Sequence, residues 1–255
     1  MKLFSRSFFL PFLAFCGFGL SWSLASCFGG WNSQVFPGPL DVIASIWELT
    51  ASGALIKHTI ASLFRVTAGF YLAILLGVPL GMVLGRSNTL MCTFNPLIQF
   101  MRPISPLAWI PLAMLWFGIG DMPAIFLIFL SSFFPLVVST ALAVRSIEAT
   151  FFQVAANFGL TTWEIISTII FPAMLPTVLT SLRITLGIAW LVVVAAEMIA
   201  VDSGLGYLIL DSRNALRMDC VMAGMIVIGL IGIALDTVMK RLGQPDIIMR
   251  KNISR

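Results

Sequence analysis

Six stretches of this chain carry no charged residue over lengths that a soluble fold rarely sustains: Ser7 to Leu40, Val66 to Gly85, Pro103 to Gly120, Met122 to Val144, Ile165 to Leu182 and Cys220 to Leu235. A helix needs roughly 20 apolar residues to cross about 30 Å of hydrocarbon, and most of these runs reach or approach that length. Inside a bilayer only helices and closed barrels satisfy their own backbone. The runs lack the alternation of barrel strands, so they predict helices. Composition agrees, because 59% hydrophobic and 10% charged residues leave too little polar surface to cover a soluble domain. The fold class expected is therefore an all-α polytopic membrane protein, with six spanning helices near 8–28, 64–85, 98–119, 122–143, 176–200 and 219–239.

The first run follows Lys2 and Arg6 and ends near Ala25-Ser26-Cys27, which has the look of a cleavable leader. Its apolar stretch exceeds the 7–15 residues of a cleaved core, so a retained helix is expected. The four cysteines, at 16, 27, 92 and 220, show no metal spacing and read as small apolar side chains.

Orientation follows from the basic residues. With both termini cytoplasmic, Lys2, Arg6, Arg86, Arg145, Lys240, Arg241, Arg250, Lys251 and Arg255 face inward. Lys57, Arg65, Arg213 and Arg217 then lie outside or at the outer interface. That asymmetry fits an even number of crossings. The 29–58 and 201–218 segments are expected outside, and 86–95 and 145–168 inside. The net charge of +4 is a topology and anionic-lipid signal, not one for nucleic acid.

Between the fourth and fifth expected helices lies QVAANFGLTTWEIISTIIFP, residues 153–172. Phe151, Val154, Ala155 and Phe158 recur at helical spacing and predict one apolar face. Gly159 falls where a left-handed C-terminal cap would stand. Thr161 and Glu164 have capping-box spacing for a second helix, which Pro172 and Pro176 are expected to interrupt. An amphipathic helix lying on the bilayer would account for the first part.

The intervals point further. This stretch resembles the cytoplasmic signature of binding-protein-dependent ABC transporter permeases, E-A-A-x3-G-x9-I-x-L-P, with Gln153, Val154, Ala155, Gly159, Ile169, Phe171 and Pro172 in the corresponding places. Gln153 replaces the acid, Val154 an alanine and Phe171 a leucine. SPLAWIPLAMLWFGIGD (105–121), LRITLGIAWLVVVAAEMI (182–199) and SGLGYLI (203–209) are similar to the subgroup importing nitrate, aliphatic sulfonates, taurine or bicarbonate. The resemblance runs from about residue 36 to about 242. It implies a type I importer permease fold, with an N-terminal helix over 1–35, a permease domain over 36–242 and a cytoplasmic tail over 243–255.

In that family the loop forms a coupling helix that docks on a separate ATPase subunit. The resemblance thus assigns coupling to Gln153, Val154, Ala155, Ala156, Phe158, Gly159, Thr161, Ile169 and Pro172. It implies a homodimer in the bacterial inner membrane, two ATPase subunits that carry ATP and magnesium, and a periplasmic or lipid-tethered binding protein. No cofactor is expected in this chain. The implied cargo is a small anion or zwitterion.

Candidates for the substrate pathway are Arg102, Ser105, Trp109, Arg183 and Glu197. Glu197 is the one acid well inside an apolar run; at such depth a charge costs about 2.5–3.5 kcal/mol, so it needs a partner, protein or water, more readily than an anionic cargo. Arg102 and Arg183 can balance an anion or snorkel to the interface. Gly77, Gly81 and Gly85 form a small-residue face for close helix packing within the chain or at a subunit seam. Pro103, Pro106 and Pro111 should break or kink the third helix. His58 is not expected to be a ligand.

The chain has no G-x4-G-K-[S/T] loop, no metal-spaced cluster and no nucleophile with an evident base, so an enzyme is not expected. The rival reading, an ion-gradient-driven secondary transporter, would require embedded carboxylates or an internal repeat. No repeat is evident.

Overall fold

The computed structural model describes residues 3–28 and 35–243; Lys2, positions 29–34 and the tail from 244, with Arg250, Lys251 and Arg255, lie outside them. Regular structure among the described residues is helical: α1 Leu3–Phe28, α2 Pro39–Ala51, α3 Ala54–Arg86, α4 Asn88–Met101, a 3-10 turn Pro106–Trp109, α5 Ile110–Phe117, α6 Asp121–Arg145, α7 Ala149–Asn157, α8 Thr162–Ile165, a π turn Ile166–Ile170, α9 Phe171–Ala200, α10 Leu205–Asn214 and α11 Met218–Leu242. Among the described residues, four helical bodies, Ala54–Arg86, Asp121–Arg145, Thr162–Ala200 and Met218–Leu242, are long and apolar enough to cross a membrane.

The third expected span, 98–119, is not one helix. α4 stops at Met101, Pro106 begins the 3-10 turn and Pro111 is the second residue of α5, places where a proline's missing N–H is harmless. The chain nonetheless has to return through the bundle here. Gly69 lies against Ile125 and Ile128, Gly81 against Val137 and Thr140, and Gly85 against Ala141 and Val144. That constant offset means α3 and α6 run parallel. The segment joining the end of α3 to the start of α6 therefore traverses the bundle in broken pieces.

The same contacts explain the glycines. A Cβ on Gly81 would stand 2.6 Å from Thr140 Cβ, and one on Gly85 2.7 Å from Val144 Cβ. Gly77 is less crowded, its nearest neighbour Phe133 O at 3.3 Å. This small-residue face packs within the chain, the α3 backbone lying directly against the backbone and Cβ atoms of α6.

α6 is central and packs on both α3 and α9. It runs antiparallel to α9: Gly120 N–H donates to Ala200 O at 3.3 Å at one end, and the Ser139 and Ser181 hydroxyls meet partway along. α11 lies antiparallel to α9 in turn, with Trp190 Nε1 donating to Ile228 O at 3.1 Å. The upper end of the bundle is here the one holding the starts of α3 and α6 and the end of α9; the lower end holds α7. Val66, Phe70, Ile128, Ala189, Trp190, Val193 and Leu205 form the largest core cluster.

Pro172 and Pro176 do not interrupt the helix that carries them. It runs from Thr162 to Ala200, and Phe171 N–H reaches Ile166 O, five residues back. A wider turn just before Pro172 gives its ring room that a regular α turn denies.

Candidate functional site

The lower end is organised around α7. Gly159 has φ +67°, a left-handed conformation in which a Cβ is strained. Its N–H donates to Ala156 O at 3.1 Å, and Leu160 N–H donates to Ala155 O at 3.0 Å. These two bonds close a Schellman C-cap. Two residues on, Thr161 Oγ1 accepts from Glu164 N–H at 3.4 Å while Thr161 N–H donates to Glu164 Oε2 at 2.7 Å, a reciprocal capping box. One helix thus ends, reverses and hands over to the next within four residues.

The apolar residues of α7 divide between two faces, which corrects the single face expected. Ala155 is 1% exposed and turned into the chain, whereas Phe151, Val154 and Phe158 point outward, Phe158 at 79%. Trp163 adds a further exposed ring. Gln153, Ala156 and Thr161 are exposed, Ile169 sits half-buried in the π turn and Pro172 is exposed in the first turn of α9. Behind α7, Arg86 at the end of α3 stacks over the Phe152 ring, 4.7 Å from its centroid. Arg145 donates to Asn88 Oδ1 at 2.7 Å. The outward face is free while the inward one is anchored.

Midway up the bundle, a cavity of about 410 Å³ opens between the end of α4 and the middles of α6 and α9. Of the five expected pathway residues only Arg102 lines it. Ser105 is exposed beside it; Trp109 packs against the cluster of Ile110, Ala124 and Leu127, its ring 6.5 Å from that of Trp116. Arg183 turns to α11, where its Nε and Nη2 donate to Asp236 at 2.5 and 2.7 Å. Ser131, Ser139, Ser181 and Thr185 line the cavity, although none was a candidate from the sequence.

Glu197 is enclosed at the upper end. Arg65, 1% exposed, donates through Nη1 to Glu197 Oε1 at 2.7 Å and to Ser203 O at 2.7 Å. Its Nε donates to Asp121 Oδ1 at 2.7 Å, and its Nη2 to Ser203 Oγ at 2.5 Å. Glu197 Oε2 accepts from Ser62 Oγ at 2.8 Å and Gly206 N–H at 3.0 Å. Ser62 accepts from Leu205 N–H at 2.9 Å, and His58 Nδ1 from Gly204 N–H at 3.0 Å. This web binds α3, α6 and α9 to the turn before α10. A side chain on Gly204 would overlap the Glu197 carboxylate. The expected demand of Glu197 for a partner is met, but by a residue assigned from the sequence to the outer interface; the signal available was an arginine on the helical face of His58 and Ser62, at the start of the charge-free run from Val66.

A second clamp ties α2 to the start of α11. Arg217 donates to both Glu48 oxygens at 2.8 Å and to Asp219 Oδ2 at 2.8 Å, and Ser45 Oγ donates to Asp219 at 2.7 Å. The Arg217 hydrogen bonds hold the Glu48 carboxyl below the usual carboxylate range and push the Arg217 guanidinium above its own.

Residues 73–244 match the family model described as binding-protein-dependent transport system inner membrane component. A protein of Methanocaldococcus jannaschii named as an ABC transporter permease is 41% identical over 204 residues, 80% of this chain and 76% of that one. The taurine transport system permease protein of Escherichia coli is 36% identical over 213 residues, 81% of this chain and 77% of its own length. A solved bacterial ABC transporter involved in the import of the acidic polysaccharide alginate superposes with a TM-score of 0.62 at 18% identity, covering 94% of this chain and 92% of that one, a likeness of fold. On the extent of these matches, this chain belongs to the inner-membrane permease family of binding-protein-dependent ABC transport systems.

Proposed function

We propose that this chain is the membrane-spanning half of an ATP-driven importer for a small anion or zwitterion of the nitrate, sulfonate, taurine or bicarbonate class. Two copies enclose the pathway, and two ATPase subunits, which carry ATP and magnesium, dock beneath them. A periplasmic or lipid-tethered binding protein delivers the cargo. α1 and the broken α4–α5 segment join the four long helical bodies to give six crossings, with both termini cytoplasmic. Residues 1–35 form the first crossing, 36–242 the permease domain and 243–255 a tail. The taurine permease among its relatives supports the cargo class.

The observation that carries this reading is α7: a short helix with Phe151, Val154 and Phe158 exposed, anchored from behind and aimed by the Gly159 and Thr161 caps. An apolar face so presented, beside residues at the family's coupling spacing, suits a groove on a partner. Gln153, Val154, Ala156, Phe158, Gly159 and Thr161 present that docking surface, Ala155 and half-buried Ile169 support it from within, and exposed Pro172 flanks it in the first turn of α9. Thiol labelling of Asn157→Cys in a background without native cysteines tests the orientation. Label from an impermeant reagent added to intact cells overturns it; protection, with co-purification of the ATPase subunit, supports it. The secondary-transporter reading loses its one embedded acid, because Glu197 is fully engaged by Arg65, Ser62 and Gly206.

A further inference from the structure

The cavity between α4, α6 and α9 has an unusual charge inventory. Among the described residues Arg102, itself exposed, is its one charged lining residue, and no carboxylate lines it. Among the described residues Arg102 joins no salt bridge, whereas Arg65 is matched by Asp121 and Glu197 and Arg183 by Asp236. A guanidinium beside an apolar bundle with no counter-charge draws anions and repels cations.

Four hydroxyl side chains line the same cavity. Ser131 Oγ donates to Ile128 O at 2.8 Å and Thr185 Oγ1 to Ser181 O at 2.6 Å, so those protons are spent on the backbone. Ser139 and Ser181 touch each other, and that single hydrogen bond uses one of their two protons. The other is left to donate. A planar five-donor fork plus a spare hydroxyl proton matches a head group with three oxygens, such as a sulfonate or nitrate, in which two oxygens take the fork and one the hydroxyl.

We propose that Arg102, Ser139 and Ser181 form a transit site for the oxyanion head of the cargo. The proposal rests on the importer reading above and names the chemistry of its pathway. One charge and one spare hydroxyl proton make a deliberately weak site. That suits passage, since a site on a pathway has to release what it binds. Arg183 takes no part, being held by Asp236.

The test uses the complete transporter, this chain with its ATPase and binding protein, in proteoliposomes. Uptake of taurine, methanesulfonate, nitrate and bicarbonate is measured beside ATP hydrolysis stimulated by the loaded binding protein. Arg102→Gln should lower uptake of the transported anion by roughly tenfold, as removal of a charge-assisted contact does, with stimulated hydrolysis within about twofold of wild type. Arg102→Lys, keeping charge without the fork, should fall between. The double variant Ser139→Ala/Ser181→Ala should raise the KM for uptake with little effect on hydrolysis. Should Arg102→Gln fail to assemble, this serine pair decides the matter. Wild-type uptake in both Arg102→Gln and the serine pair overturns the site and leaves the importer reading standing. No uptake of any of the four by the wild-type complex overturns the importer reading, and the site with it.

Discussion

The Arg65 guanidinium and the Glu197 carboxylate meet at 2.7 Å with almost no solvent on either, and each makes further hydrogen bonds, Arg65 to Asp121 and Ser203 and Glu197 to Ser62 and Gly206. A buried pair of this kind is costly to half-remove, because the survivor stays charged and unpaired. Glu197→Ala and Arg65→Met should each lower stability by about 3–5 kcal/mol. The double variant Arg65→Met/Glu197→Ala should lose less stability than the sum of the two single losses. Thermal unfolding of the purified chain in detergent checks this; additive losses would show that the two side chains act separately.

α7 makes a sharper distinction between packing and docking. Val154→Arg changes an exposed position and should leave membrane insertion intact while abolishing ATPase association. Ala155→Arg forces a charge into a site that is 1% exposed, so it should reduce the yield of folded chain itself. Gly159→Leu should strain the left-handed turn by about 1–2 kcal/mol and re-aim the helix, with near-normal insertion and lost coupling. Yield, co-purified ATPase and transport, scored together, separate these outcomes. Wild-type assembly and transport in both Val154→Arg and Gly159→Leu would remove α7 from the mechanism.

The Glu48–Arg217 clamp predicts a pH dependence. Glu48 titrates lower when paired than when free, so its contribution is fully present above the free carboxylate range and is lost as pH falls through the lowered value. Arg217 stays protonated throughout. Hydrogen exchange in α2 should therefore accelerate as the pH drops below about 4, after correction for intrinsic rates, and Glu48→Gln should show the faster exchange already at neutral pH. An α2 whose protection is unchanged by either would mean that Ser45 and apolar packing hold it alone.

The hydrophobic runs made the helices legible, and the capping chemistry made the turn at 158–164 legible, because both rest on interactions between near neighbours in sequence. What escaped were features set by partners far along the chain. The break between α4 and α5 was visible in Pro103, Pro106 and Pro111, yet the parallel pairing of α3 and α6 that obliges this segment to return through the bundle was not. Arg65 counted as one outward-facing positive charge, since nothing local ties it to residues 121, 197 and 203. Ala155 looked equivalent to Val154 on a helical wheel; only its packing against the chain's own interior separates them. The cavity hydroxyls sit on two different helices, and a hydroxyl on an apolar helix carries no mark of which side it faces.

The glycine contacts along α3 and α6 have a mechanical consequence. At Gly69, Gly81 and Gly85 α3 brings no side chain to the contact, so its backbone lies directly on Ile128, Thr140 and Val144 of α6 with little room to slip. The pair is stiff, so under the proposed coupling a push delivered through α7 and Arg86 at one end is expected to reach Arg65 and Asp121 at the other. Under that coupling the strain is expected where the chain is already broken, between Met101 and Ile110, beside the cavity that Arg102 lines.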